Sequence, residues 1–123
     1  MSRILAILLL TVSGAASAYA MSTTFPQGSA ELTPQALKSD ISGKTFIVQP
    51  AQGPSWRWEL KDNGYYFVNI GNFSDSGTWS VKGSSLCSAG QKVATGTCND
   101  VRIKDGTLYL KRDNGEVVEL QPK

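Results

Sequence analysis

Residues 56–68 read Trp56-Arg57-Trp58-Glu59-Leu60-Lys61-Asp62-Asn63-Gly64-Tyr65-Tyr66-Phe67-Val68. Trp56, Trp58 and Leu60 alternate with Arg57, Glu59 and Lys61, a period of two that gives one apolar and one charged face, as in an antiparallel strand with one wet side. Asn63-Gly64 follows at once, and Asn-Gly tolerates the positive φ angles of a tight hairpin turn. A second strand then begins in a run of aromatics. The stretch is therefore a β-hairpin, and its period decides the fold class.

The same pattern continues in both directions. Turn signals recur about every ten residues at Lys82-Gly83, Asp105-Gly106 and Asp113-Asn114-Gly115, the spacing that all-β barrels and sandwiches require. Strands are expected over 45–49, 55–61, 65–71, 77–81, 85–88, 97–104, 107–112 and 116–121. Their inward positions include Trp79 with Val81, Val101 with Ile103, Leu108 with Leu110, and Val118 with Leu120. The fold class is mainly β: a small antiparallel barrel or rolled sheet of seven or eight short strands. One short helix precedes it. Thr33 can cap it, Pro34 suits its first position, Ala36, Leu37 and Ile41 have helical spacing, and Gly43 ends it.

The first 20 residues have the layout of a secretory signal peptide: a basic start at Arg3, an apolar run over 4–12, and small residues ending in Ala18-Tyr19-Ala20. That run is short of the roughly 20 apolar residues that a membrane-spanning helix needs. Cleavage is expected after Ala20, with the bond after Ala18 as the rival site. The expected organisation is a signal peptide over 1–20, a flexible mature N-terminus over 21–30 broken by Pro26 and Gly28, and a single antiparallel β domain over 31–123. Its address is periplasmic or secreted, and no membrane span is expected after signal cleavage.

Cleavage removes Arg3 and changes the net charge from +2 to +1. The remaining lysines and arginines are scattered singly, so no nucleic-acid partner is expected. Cys87 and Cys98 are the chain's two cysteines. In an oxidising compartment they have one possible pairing, closing a loop that stabilises by about 2–3 kcal/mol.

Histidine is absent. This removes Ser-His-Asp and Cys-His nucleophilic machinery, His-ligated zinc and the usual general base near neutral pH. No glycine-rich phosphate loop or calcium-loop spacing occurs, and Asp62, Asp105 and Asp113 sit in turns. No cofactor, metal or catalytic residue is expected. A glycan hydrolase built on two carboxylates is the least favoured reading.

Tyr65-Tyr66-Phe67-Val68 puts large residues on both faces of one strand. With Tyr66, Val68 and Ile70 inward, Tyr65, Phe67 and Asn69 face outward. Exposed aromatics and arginine are the side chains that dominate binding hot spots. Arg57, Tyr65, Phe67 and Tyr109 are thus the candidate binding residues, with cover by the helix or the N-terminal arm as the alternative use of this face. The expected function is an exported, monomeric binding module for an envelope protein, an enzyme it inhibits being one form of partner. The alternative is a carrier of a small apolar ligand in the barrel or its mouth.

From Leu32 onward the chain reads LTPQALKSDISGKTF, WRWELKDNGYYF, SGTWSVKGSSLC and CNDVRIKDGTLYL. It resembles a family of small exported bacterial proteins of unknown function that share a short helix, Gly-Lys-Thr, a Gly-Thr-Trp strand and two cysteines. The resemblance implies an antiparallel β fold and a cell-envelope address, and no catalytic or binding residue. The Ser-Gly-Thr-Trp stretch, followed by Lys82-Gly83 and a cysteine, is more loosely similar to periplasmic lysozyme inhibitors, small β barrels that plug an enzyme cleft with surface loops.

Overall fold

A computed structural model describes residues 21–92 and 96–123; the signal-peptide reading of residues 1–20 lies outside them. The chain enters through a two-residue strand, β1 (Ala30–Glu31), and the helix α1 (Pro34–Ile41). Local chemistry sets the helix. The Ala36 N–H donates to Thr33 Oγ1 at 3.2 Å, Pro34 opens the first turn, and Gly43 takes φ 74° just past the end. Leu37 and Ile41 form its inner stripe and are fully buried.

Eight further strands follow: β2 (Lys44–Val48), β3 (Trp56–Leu60), β4 (Tyr65–Ile70), β5 (Phe73–Lys82), β6 (Ser85–Gly90), β7 (Thr97–Lys104), β8 (Thr107–Lys111) and β9 (Val117–Pro122). Each pairs antiparallel with the next, and β9 returns to β2 through Phe46 opposite Pro122 and Ile47 opposite Gln121. The result is a closed eight-stranded barrel with β1 as an extra strand. Closure leaves no long open edge for another chain to extend. The tight turn between β7 and β8 needs positive φ at both central positions, which Asp105 (50°) and Gly106 (79°) supply.

Alternation assigns the walls. Phe46, Val48, Trp58, Leu60, Tyr66, Trp79, Leu86, Val101, Leu108, Leu110, Val118 and Leu120 are buried and fill the barrel. β5 begins at Phe73, four residues before the strand read from sequence. Ile70 opposite Phe73 and Asn69 opposite Ser74 make Gly71-Asn72 a two-residue hairpin turn, and the ladder draws Ser74, Asp75 and Ser76 into the strand despite their turn-like chemistry.

β7 changes partners midway. Thr97, Cys98, Asn99 and Asp100 pair with β6, whereas Val101, Arg102, Ile103 and Lys104 pair with β8. On the edge that β6 leaves, Ala30 lies opposite Ile103 and Glu31 opposite Arg102. Ser84 joins the pieces: its hydroxyl accepts from the Leu32 N–H at 2.9 Å and donates to the Val101 carbonyl. Cys87 and Cys98 are directly opposed across β6 and β7 and form a disulfide, with Cα atoms 4.0 Å apart.

The segment 21–30, expected to be flexible, has defined neighbours. The Ser22 carbonyl accepts from the Val117 N–H on β9 at 2.7 Å, the Phe25 ring lies 4.7 Å from the Arg102 guanidinium, and Lys104 Nζ donates to the Gln27 carbonyl. No helix among the described residues is long and apolar enough to cross a membrane.

Candidate functional site

The helix closes one end of the barrel. It packs at the end where Gly43 N–H donates to the Leu60 carbonyl and where the β3–β4, β5–β6 and β7–β8 turns gather. Trp79 pins that end: its backbone N–H donates to the Gly64 carbonyl and its indole Nε1–H to the Lys61 carbonyl, each at 2.8 Å. The segment 21–30 touches β9 and β7. Neither element lies over the outer face of β4.

That face is therefore open. Tyr65 is 55 % exposed and Phe67 46 %, as the outward half of the Tyr65–Ile70 alternation requires. Arg57 is on the neighbouring strand and on the same face: Arg57 lies opposite Asn69, and Glu59 opposite Phe67. Glu59 forms ion pairs with Arg57 Nη2 at 2.9 Å and with Lys61 Nζ at 3.4 Å, so the three charges form a ladder beside the aromatics. Lys61 Nζ stands 6.0 Å from the Phe67 ring centroid. Beyond Phe67 a groove of about 650 Å³ runs between Glu59, Asn69, Ser74 and Ser76 to Gln91 and Lys92. Lys92 closes it, donating to the Ser74 carbonyl at 2.6 Å and standing 5.1 Å from the ring of Phe73.

Tyr109 does not join this face. β8 is four strands from β4 whichever way the barrel is followed, so the outward Tyr109 is on the opposite wall. There it is half-buried between Arg102 and Glu119, in the wall that residues 22–27 touch. Sequence parity correctly separates inward from outward residues, but it carries no information about position around a closed barrel. The structure brings together Arg57, Tyr65 and Phe67 and separates Tyr109 from them.

Two acidic side chains are buried, Asp75 and Glu116, although most acidic residues read as turn or strand-exterior positions. Asp75 Oδ1 accepts from the Ser76 and Lys92 N–H groups. Burial pushes the neighbouring Tyr66 phenol above its ordinary value, and the Asp75 charge adds to the shift, so the hydroxyl stays protonated. The cluster exists because position 90 is glycine: a Cβ there would stand 2.2 Å from Asp75 Oδ2 and 2.7 Å from the Tyr66 hydroxyl.

Glu116 sits at the end away from the helix. Burial alone would raise its carboxyl, but the Ala51 N–H at 2.9 Å and Arg112 Nη1 at 2.6 Å outweigh it and hold the group below its ordinary value. The Arg112 guanidinium in turn lies 4.5 Å from the Trp56 ring. No feature of the sequence singles out Lys92, Arg112 or Glu116, because their roles depend on loops meeting at one barrel end.

Comparison of the chain with protein-family models, curated proteins and solved structures gives no match. The geometry is that of a small, disulfide-linked, closed antiparallel barrel with one open aromatic face.

Proposed function

We propose that this domain is a binding module that captures a protein partner in the periplasm or outside the cell, after removal of a signal peptide over residues 1–20. The docking surface is the outer face of β3 and β4, with Tyr65 and Phe67 as anchors and Arg57 and Lys61 as flanking cations. One observation carries the reading. Of the large hydrophobic residues that stand exposed among the described residues, Tyr65 and Phe67 stand two apart on the outer face of β4, whereas Phe73 lies opposite Ile70 and shares its inward parity at the hairpin end, and Met21 begins the described chain. A pair of exposed aromatics beside a cationic ladder has the composition of a binding hot spot, whereas scattered single exposures need no explanation.

The Cys87–Cys98 disulfide fits an oxidising compartment. An enzyme inhibited by this face is one form of partner, and the docking module itself performs no chemistry. Full-length protein carrying Tyr65→Ser and Phe67→Ser, expressed with its leader, should lose the proteins that the wild type retains from envelope extract while its melting curve stays within about 3 °C, as for surface substitutions. Equal retention by wild type and variant would refute the docking face.

A further inference from the structure

The two residues that follow β6 are fastened to β5. The Gln91 N–H donates to the Ser76 carbonyl at 2.9 Å, the Lys92 N–H to Asp75 Oδ1 at 3.1 Å, and Lys92 Nζ to the Ser74 carbonyl at 2.6 Å. Asp75 is more than nine-tenths buried, and the same oxygen also accepts from the Ser76 N–H at 2.8 Å. Hydrogen bonds to a charged acceptor are strong, so Gln91 and Lys92 form a fixed wall. Phe67, 46 % exposed, is the facing wall of the groove of about 650 Å³ between them. That volume lies in the range of small-ligand sites, and a site held rigid beforehand loses little freedom on binding.

The floor between these walls is small and polar. Ser76 lies opposite Phe67 and Ser74 opposite Asn69, all on the outward side of the hairpin. Asn69, Ser74 and Gln91 are exposed, and Ser76 is half-buried. The side chains of these four make no hydrogen bond among the described residues. Each hydroxyl and each amide can both donate and accept. The charged groups of the groove are already engaged, Glu59 with Arg57 and Lys61, and Lys92 with the Ser74 carbonyl.

Polarity selects the ligand class. An apolar molecule in the groove would cover polar side chains without offering them a partner, at a cost for each. An anion would meet Glu59 on one side, and a cation would meet Lys92 on the other. An extended peptide needs a free strand edge for its backbone, and at Ser74 the edge of β5 is capped by Lys92. What fits is a molecule whose hydroxyls both donate and accept and whose ring presents a C–H face to an aromatic wall. From the fixed walls and the uncommitted polar floor we infer that the groove binds an uncharged oligosaccharide. One sugar ring stacks on Phe67, and its hydroxyls bond to Asn69, Gln91 and the two serines. The inference goes beyond the docking reading: the groove shares Phe67 and Glu59 with that face and leaves Tyr65 and Arg57 outside it.

The test uses the oxidised, ¹⁵N-labelled full chain and four neutral tetrasaccharides: chitotetraose, cellotetraose, xylotetraose and maltotetraose. At least one should move the side-chain amide resonances of Asn69 and Gln91 saturably, while that of Gln35, on the helix at the other end of the barrel, stays fixed. Tetragalacturonate, of the same length with a carboxylate on every ring, should bind more weakly than the best neutral sugar. Gln91→Ala should weaken that sugar about three- to tenfold, the value of one neutral hydrogen bond. Phe67→Ser should weaken it at least as much, and Phe67→Tyr, which keeps the stacking surface, should not. Gln91→Ala should leave protein capture intact and Tyr65→Ser the sugar affinity, so the docking reading and this one fail separately. The wild-type titration needs no variant to fold. Silence of all four neutral sugars, an acidic sugar that binds as well as they do, or shifts confined to residues outside the groove would each overturn the assignment.

Discussion

Removing the Glu116 carboxylate should cost more than any other single change at the rim of the barrel mouth. In Glu116→Ala the Ala51 N–H loses its acceptor and Arg112 loses its anion, at contacts of 2.9 and 2.6 Å. The Glu116 side chain is 5 % exposed and that of Arg112 28 %. A hydrogen bond to a charged group is worth about 1.5–3 kcal/mol, and the lower end applies to Arg112, whose freed guanidinium regains water. Two such contacts make the loss about 3 kcal/mol, or roughly 15 °C in Tm for a domain of this size. Glu116→Gln keeps an acceptor for Ala51 and should lose about half as much. The pH dependence follows from the lowered carboxyl. Its stabilisation is complete above the ordinary value of 4.5 and is lost as pH falls through the lower folded-state value. Calorimetry from neutral pH downward measures both effects. An alanine variant within about 1 kcal/mol of wild type at neutral pH, or a glutamine variant with the wild-type acid slope, would refute the network.

Reduction of Cys87–Cys98 should lower stability by about 3 kcal/mol, from the closure of a loop with a sequence separation of 11, and leave a folded barrel by circular dichroism; complete unfolding at 25 °C would mean that the core is far weaker than its burial implies. Gly77→Ala should be more damaging than Gly90→Ala, because a Cβ at 77 meets the Ala89 carbonyl oxygen at 2.0 Å in the β5–β6 ladder, whereas at 90 it meets the ends of two side chains; equal melting points would contradict this. Thr33→Ala removes the acceptor for the Ala36 N–H and should cost about 1 kcal/mol by urea titration, with an unchanged melt counting against the cap.

Much of the barrel is legible in the sequence because its signals are local. Trp56-Arg57-Trp58-Glu59-Leu60 shows its period directly, and Asn63-Gly64 and Asp105-Gly106 name their turns. Thr33-Pro34 marks the helix start for the same reason. β1 is different: two residues have no period, and Ala30 becomes a strand only because β6 leaves an edge of β7 vacant. Closure is equally silent, since it rests on Phe46 and Ile47 meeting residues 121 and 122. Tyr109 shows the cost of that silence at the candidate site. Its outward parity is readable, but its distance from Tyr65 depends on the number of strands between them and on the ring being closed.

The seam between β2 and β9 also governs when the fold can form. It joins the first strand of the barrel to the last, and β1 joins residue 30 to residue 103. Contacts so distant in sequence cannot form until almost all of the polypeptide is available, whereas the rest of the ladder joins strands that are neighbours in the chain and can pair before the ring closes. The closed ring is therefore the last part of the fold to form, and a chain cut short before β9 would keep its hairpins but lack the seam that shuts the barrel.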